Sequence, residues 1–286
     1  MIRLIFAMRR GFFALLLLLA TTGAVRAACT SIAVRSPLPF GVYTGVALSS
    51  TTTITVRCSK GFAYEVALGR GNGASGSARM MESGANGLRY GLYQDAARAT
   101  PWGDDAGVDT VGGTGTGADQ TYTVYGVLPA NQRVAPGRYA DGPIVASVAN
   151  GPAQSLSMDV TVAATCTISA AALAFPAYSG LTVTATSDIT VTCTDTTPYA
   201  VGLGAGNAPG ATVSSRALVL GSSQTAYALY SDAAMSLNWG VTAGNDEVSG
   251  TGNGAPQTLT VYGRIAGGQF PAPGNYADTI VATITY

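Results

Sequence analysis

The chain contains no histidine, a single lysine (Lys60) and only three glutamates, Glu65, Glu82 and Glu247. Without histidine, neither a Ser–His–Asp nor a Cys–His arrangement can be built, so no catalytic residue and no enzyme is expected. Charged residues make up 10% of the sequence, well under the usual quarter or so. Glu and Lys, the strong helix formers that normally cover exposed helix faces, are nearly absent. Thr, Val, Tyr and Gly are plentiful instead, which suits strands joined by turns. No amphipathic helix period stands out.

Long apolar runs are missing except near the start. Arg3, Arg9 and Arg10 precede the stretch from Gly11 through Leu15–Leu19, and Val25-Arg26-Ala27 follows. This predicts an export signal over residues 1–27 with cleavage after Ala27. The run is shorter than the ~20 apolar residues of a membrane-spanning helix. A lipid-modified Cys29 is not expected, because Arg26 stands where such signals carry Leu. Four of the 15 basic residues and none of the 15 acidic ones fall in this segment, leaving a mature charge of about −4. No basic patch remains for nucleic acid.

Four cysteines follow, Cys29, Cys58, Cys166 and Cys193. An even number in an exported chain suggests two disulfides, and four cysteines allow three pairings.

Laid against itself, the chain repeats. Thr53-Ile54-Thr55-Val56-Arg57-Cys58 matches Asp188-Ile189-Thr190-Val191-Thr192-Cys193, and Tyr64–Gly69 matches Tyr199–Gly204. Tyr90-Gly91-Leu92-Tyr93 falls on Tyr227-Ala228-Leu229-Tyr230, Trp102 on Trp239, Val124-Tyr125-Gly126 on Val261-Tyr262-Gly263, and Pro136–Asp141 on Pro273–Asp278. Two homologous domains are expected, 28–164 and 165–286. Each copy then closes its own loop if Cys29 pairs with Cys58 and Cys166 with Cys193. Cross-domain pairing needs a special geometry. Within each copy, short alternating segments such as Thr51–Val56, Tyr64–Leu68, Tyr90–Tyr93, Thr121–Val127 and Ile144–Val148 are separated by Gly-rich stretches. The fold class is therefore all-β, two immunoglobulin-like antiparallel sandwiches.

Gly71-Asn72-Gly73-Ala74-Ser75-Gly76 has a dinucleotide-binding spacing, but no helix follows to hold a phosphate. Asp104, Asp105 and Asp109 share one loop in a spacing that fits no common calcium loop, and the second copy has Val241 and Thr242 in place of the first two. A solvated turn is expected, with no metal and no cofactor. Trp102 and Trp239 recur as a pair and read as packing residues, as do Tyr93, Tyr125 and Tyr139.

Phe40-Gly41-Val42-Tyr43, Ile54–Cys58, Leu92-Tyr93-Gln94-Asp95-Ala96-Ala97-Arg98, Trp102-Gly103 and Pro136–Asp141 together resemble the spore coat protein U domain, twice over. The second copy departs at Pro176 and Met235. The resemblance implies a subunit of archaic chaperone–usher pili, active in attachment and biofilm formation. Its partners would be a periplasmic chaperone, an outer-membrane usher, an adjacent pilus subunit, and an abiotic or host surface. Two-domain members are tip adhesins, exported through the periplasm to the cell surface.

Subunits of this kind lack one strand, which a neighbour donates. Leu156, Met158, Val160 and Val162 alternate with polar or small residues just before Cys166, where family members carry a donor strand. Residues 154–164 are therefore expected to complete the first domain from within the chain. The second domain, ending in an expected strand Thr279–Thr285, should lack its final strand and present an open groove. Cleavage after Ala27 would leave no extension ahead of Cys29 to donate, which places the subunit at the fibre end. For attachment, features peculiar to the first copy are candidates: Met80, Met81, Val108, Val111, Leu128 and Val134. Met80 and Met81 read equally well as the start of a core strand. Two other readings are a coat or shaft protein without a receptor, and a secreted lectin-like module.

Overall fold

The computed structural model describes residues 28–74, 76 and 78–286; the expected export signal over 1–27 lies outside them. No residue among those described is helical. Ten strands form a first unit: β1 (Cys29–Val34), β2 (Leu38–Tyr43), β3 (Leu48–Cys58), β4 (Ala63–Leu68), β5 (Arg79–Ser83), β6 (Asn86–Tyr93), β7 (Val111–Thr114), β8 (Asp119–Leu128), β9 (Gly137–Val148) and β10 (Ala153–Val162). Eight form a second: β11 (Cys166–Ala170), β12 (Val183–Cys193), β13 (Pro198–Leu203), β14 (Arg216–Leu220), β15 (Ser223–Tyr230), β16 (Val248–Thr251), β17 (Gln257–Ile265) and β18 (Ala282–Thr285).

The first unit is a curled sheet in the order β1-β3-β8-β6-β5-β9-β10-β2, with β4 joined to β9 and β7 to β4. Alternation puts one face of each strand inside. Ile54, Val56, Leu68, Leu88, Leu92, Val124 and Ile144 are fully enclosed. The second unit has the sheets β11-β12-β17-β15-β14 and β16-β13-β18. Its core is built on Ile189, Val191, Val201, Leu229, Val261 and Ile265. Cys29 is bonded to Cys58, and Cys166 to Cys193. Each bridge staples the first strand of its unit to the strand beside it.

The repeat extends to buried polar groups. Trp102 and Trp239 are enclosed, and their indole N–H groups donate to the carbonyls of Val66 (2.9 Å) and Val201 (2.8 Å). Both are packing residues. Arg79 and Arg216 are the surprise, since both guanidinium groups are buried. Arg79 donates to the carbonyls of Leu68 (2.8 Å), Gly69 (2.9 Å) and Gly76. Arg216 donates to those of Leu203 (2.7 Å), Gly204 (2.8 Å), Val213 (2.6 Å) and Trp239 (2.7 Å). Burial pulls both below the usual arginine value. Beside them, the Tyr90 and Tyr227 hydroxyls donate to Asp141 (2.6 Å) and Asp278 (2.7 Å). Burial, and then that hydrogen bond, pushes both tyrosines up. Among the described residues no carboxylate bonds either arginine; backbone carbonyls solvate them, from the end of β4 and the loop after it for Arg79, and from the end of β13, the loop after it and Trp239 for Arg216.

Arg79→Met would leave those carbonyls without donors, and each stranded acceptor costs about 1–3 kcal/mol. We expect the first unit's thermal transition to fall by well over 10 °C while the second unit's stays in place, as followed by calorimetry on the full chain.

Candidate functional site, an apolar groove in the second unit

The two units differ at one strand position. In the first, β10 lies between β9 and β2. It runs antiparallel to β9 from Ala153 opposite Ser147 to Val162 opposite Gly137. It runs parallel to β2 from Met158 opposite Leu38 to Val162 opposite Tyr43. Leu156, Met158, Val160 and Val162 point inward, each no more than 3% exposed. They cover Leu38, Phe40, Tyr139, Ile144 and Ala146, all of which belong to the same buried cluster.

In the second unit, Leu173, Phe175 and Tyr178 stand where the repeat places Leu38, Phe40 and Tyr43, and all three are half-buried. Ile280, Ala282 and Ile284 replace Ile144, Ala146 and Val148 and are likewise half-buried. No strand among the described residues occupies the position of β10. The consequence reaches the backbone. Residues 172–177 make no backbone–backbone hydrogen bond among the described residues, so the counterpart of β2 is not a strand at all. The counterpart of β9 is reduced to the four residues of β18, with one isolated bridge, Val219 to Ala277. The expected strand Thr279–Thr285 is thus shorter than its sequence suggests, because only β13 pairs with it.

A groove of about 440 Å³ results, floored by Ile189, Leu229 and Val261 and walled by Leu173, Phe175 and Ile280. It continues into a cleft of about 660 Å³ beside Tyr178, Phe270 and Tyr276. The groove's lining is mostly apolar; Ser187, Thr279 and Asp278 also border it, and the Asp278 carboxylate accepts from the Tyr227 hydroxyl. Chemically the groove offers apolar sockets and an unpaired strand edge. That combination takes up an extended peptide with alternating apolar side chains.

The candidate adhesive residues divide. Met81 and Leu128 are fully buried and Val134 is 8% exposed, which removes them from any contact surface. Met81 faces inward from β5, Leu128 ends β8 in the core, and Val134 turns in before β9. Met80 is half-buried with its sulfur against Gly87, and Val111 is half-buried at the start of β7. Val108 alone is open, at 80% exposure. Its loop is tethered by Arg70, which pairs with Asp104 (3.1 Å) and Asp105 (3.4 Å). Asp109 accepts from the Asp105 N–H at 2.8 Å. Those carboxylates are thus engaged within the loop, and no cluster able to hold a metal occurs among the described residues. Gly71 sits in a turn with its Cα against Asp141, away from any helix.

The Spore Coat Protein U domain model matches residues 15–145 and again 153–283. The chain belongs to this family. The second match begins with β10, so that strand belongs to the second spore coat U copy by sequence and to the first by packing. No curated protein matches the chain. Among solved structures, it is similar to a chain of the CsuC–CsuE chaperone–tip adhesion subunit pre-assembly complex of archaic chaperone–usher Csu pili from Acinetobacter baumannii. Identity is 16% and the TM-score 0.56, over 90% of this chain and 100% of that one. The CupB6 tip adhesin of Pseudomonas aeruginosa is more distant, with 12% identity and a TM-score of 0.34 over 91% of this chain and 94% of that one. The likeness to the A. baumannii complex shows a shared all-β, immunoglobulin-like fold.

The same kind of residue should carry different weight in the two units. Leu156→Ala, at a closed site, is expected to cost the first unit about 3 kcal/mol. Ile280→Ala, at the open groove, should cost the second unit about 1 kcal/mol or less. Denaturant titration of the full-length variants, reading the two transitions separately, checks the contrast.

Proposed function

We propose that this spore coat U protein is a non-catalytic pilus subunit, exported through the periplasm to the cell surface, in which residues 28–164 form an adhesive domain and 165–286 a fibre-joining domain. The observation that carries the reading is the paired state of one strand position. β10 fills it in the first unit, with Leu156, Met158, Val160 and Val162 enclosed. The same position in the second unit is an apolar groove with an unpaired edge. A donated strand from an adjacent subunit would fill that groove, and a periplasmic chaperone would cover it beforehand, since a bare edge over an apolar floor invites aggregation. Burying four apolar side chains is worth about 1.5–3 kcal/mol each, ample for a lasting joint. Delivery through an outer-membrane usher belongs to the same reading.

Placement at the fibre tip is supported by the two-copy architecture, which spans the whole of a chain from the A. baumannii chaperone–tip adhesion subunit complex. Attachment to an abiotic or host surface, and with it biofilm formation, would fall to the first unit. There Val108 is the exposed apolar candidate, on the loop held by Arg70.

A synthetic peptide of residues 153–162 supplies the missing strand in trans. Added at about 100 times its Kd, it should stabilise the second unit's transition by about 2.7 kcal/mol. Ile280→Asp should remove that effect and keep the chain out of fibres. A peptide that binds nowhere but still leaves fibre incorporation intact would refute the joint. For attachment, Val108→Ser should lower surface binding several-fold at unchanged pilus number; equal binding removes Val108 from the contact.

A further inference from the structure

A strand donor does not arrive alone: its own domain follows a few residues behind. Within this chain the geometry of that arrival is visible. β10 ends at Val162 beside Tyr43 and Gly137, and β11 begins at Cys166. So short a connection brings the second unit up to the first unit's loops at that pole, where Val46 and Arg133 border it and stay largely exposed. The Thr194 hydroxyl donates to the Ala163 carbonyl at 3.1 Å. A side chain on Gly254 would run into Arg133, whose Cγ stands 2.8 Å from where the added Cβ would lie. Between the units is a cleft lined by Val46, Arg133, Asp195 and Pro256.

The same pole exists on the second unit, built bond for bond alike. Asn131 donates to the Gly45 carbonyl, and Gly268 to that of Gly180, each at 2.9 Å. The Gln132 N–H donates to the Tyr43 hydroxyl at 2.9 Å, and that of Gln269 to Tyr178 at 3.0 Å. The Gln132 and Gln269 side chains bond the backbones of Arg89 and Ala226 in the same way. These matches fix the correspondence of the neighbouring residues: Leu181 stands for Val46, and Phe270 for Arg133. Phe270 is 92% exposed and Leu181 73%. The Phe270 ring reaches to 4.0 Å of where a Cβ on Gly180 would lie; Phe270 and Gly180 both line the cleft at the mouth of the groove, and Leu181 follows Gly180 in the chain.

We infer that Phe270 and Leu181 form a second, apolar half of the subunit joint, docking the loop pole of the β-sandwich whose strand enters the groove. This rests on the strand-accepting reading above and goes beyond it. A strand parallel to 173–178 ends beside Tyr178, and the domain behind it must come down on this face, as the second unit comes down on the first. The chemistry differs between the two joints. Arg133 meets a glycine within the chain, whereas a phenylalanine and a leucine await the neighbour. The neighbour's pole must therefore offer an apolar hollow rather than the Gly254–Asp195 surface. Two large apolar groups this exposed beside a binding groove are otherwise hard to place on a soluble surface.

The test is Leu181→Ser with Phe270→Ser in the full chain, assembled into fibres in its host cells. Because both side chains are exposed, the variant should fold and bind the 153–162 peptide as tightly as the parent, since the peptide brings no domain. Its release from sheared fibres on heating in detergent should be several-fold faster. Unchanged release would overturn the inference. So would reduced surface attachment with unchanged release, which would make the patch an adhesive contact. Ile280→Asp tests the underlying reading separately: normal incorporation of that variant would sink the strand joint itself, whatever the double variant does.

Discussion

The ladder that β10 forms with β9 on one side and β2 on the other is the contact on which the rest of the first unit depends. A strand in that position does two jobs at once. It satisfies the backbone groups of both neighbours, and it closes the core with Leu156, Met158, Val160 and Val162. Remove it and both effects reverse together, because buried backbone must be paired and apolar floor must be covered. The second unit displays that reversed state. Its counterpart of β2 is irregular, its counterpart of β9 shrinks to four residues, and its sockets stand half open.

Most of the other shared features are scaffolding around this position. The disulfides tie the opening strand of each unit to its neighbour. The buried arginines organise the loops after β4 and β13 by gathering their carbonyls. Asp141 and Asp278 hold Tyr90 and Tyr227, and their carboxylates also accept from the N–H of Asn72 and Asn207 at 2.8 Å. Because these networks are complete in both units, the second keeps its shape with an empty strand position.

Several of these features were legible in the sequence, for definite reasons. The repeat is visible because homologous units keep identical residues at fixed spacing, and all-β character follows from period-2 alternation in a chain nearly devoid of Glu and Lys. The alternation of residues 156–162 marks a half-buried strand wherever it ends up pairing. Loops were harder. Leu128 and Val134 flank a turn, and Met81 follows a Gly-rich stretch, so local sequence makes them look like surface. Whether such a residue is buried depends on what crosses above it. Arg79 and Arg216 left one faint signal, an arginine at the same place in both copies, but their partners are carbonyls that carry no side-chain signature.

The sequence by itself determined the two-copy organisation, the strand-rich fold and the family, because periodicity, spacing and residue identity are properties of the chain read in order. It also held the four apolar residues of β10. That β10 packs into the first unit and leaves the second open is an expectation carried by the family resemblance; the contacts themselves, and the exposure of Phe270 and Leu181, belong to the tertiary structure. Those are matters of contact between segments far apart in the chain. A side chain's burial is set by what the fold brings over it rather than by its own neighbours in sequence.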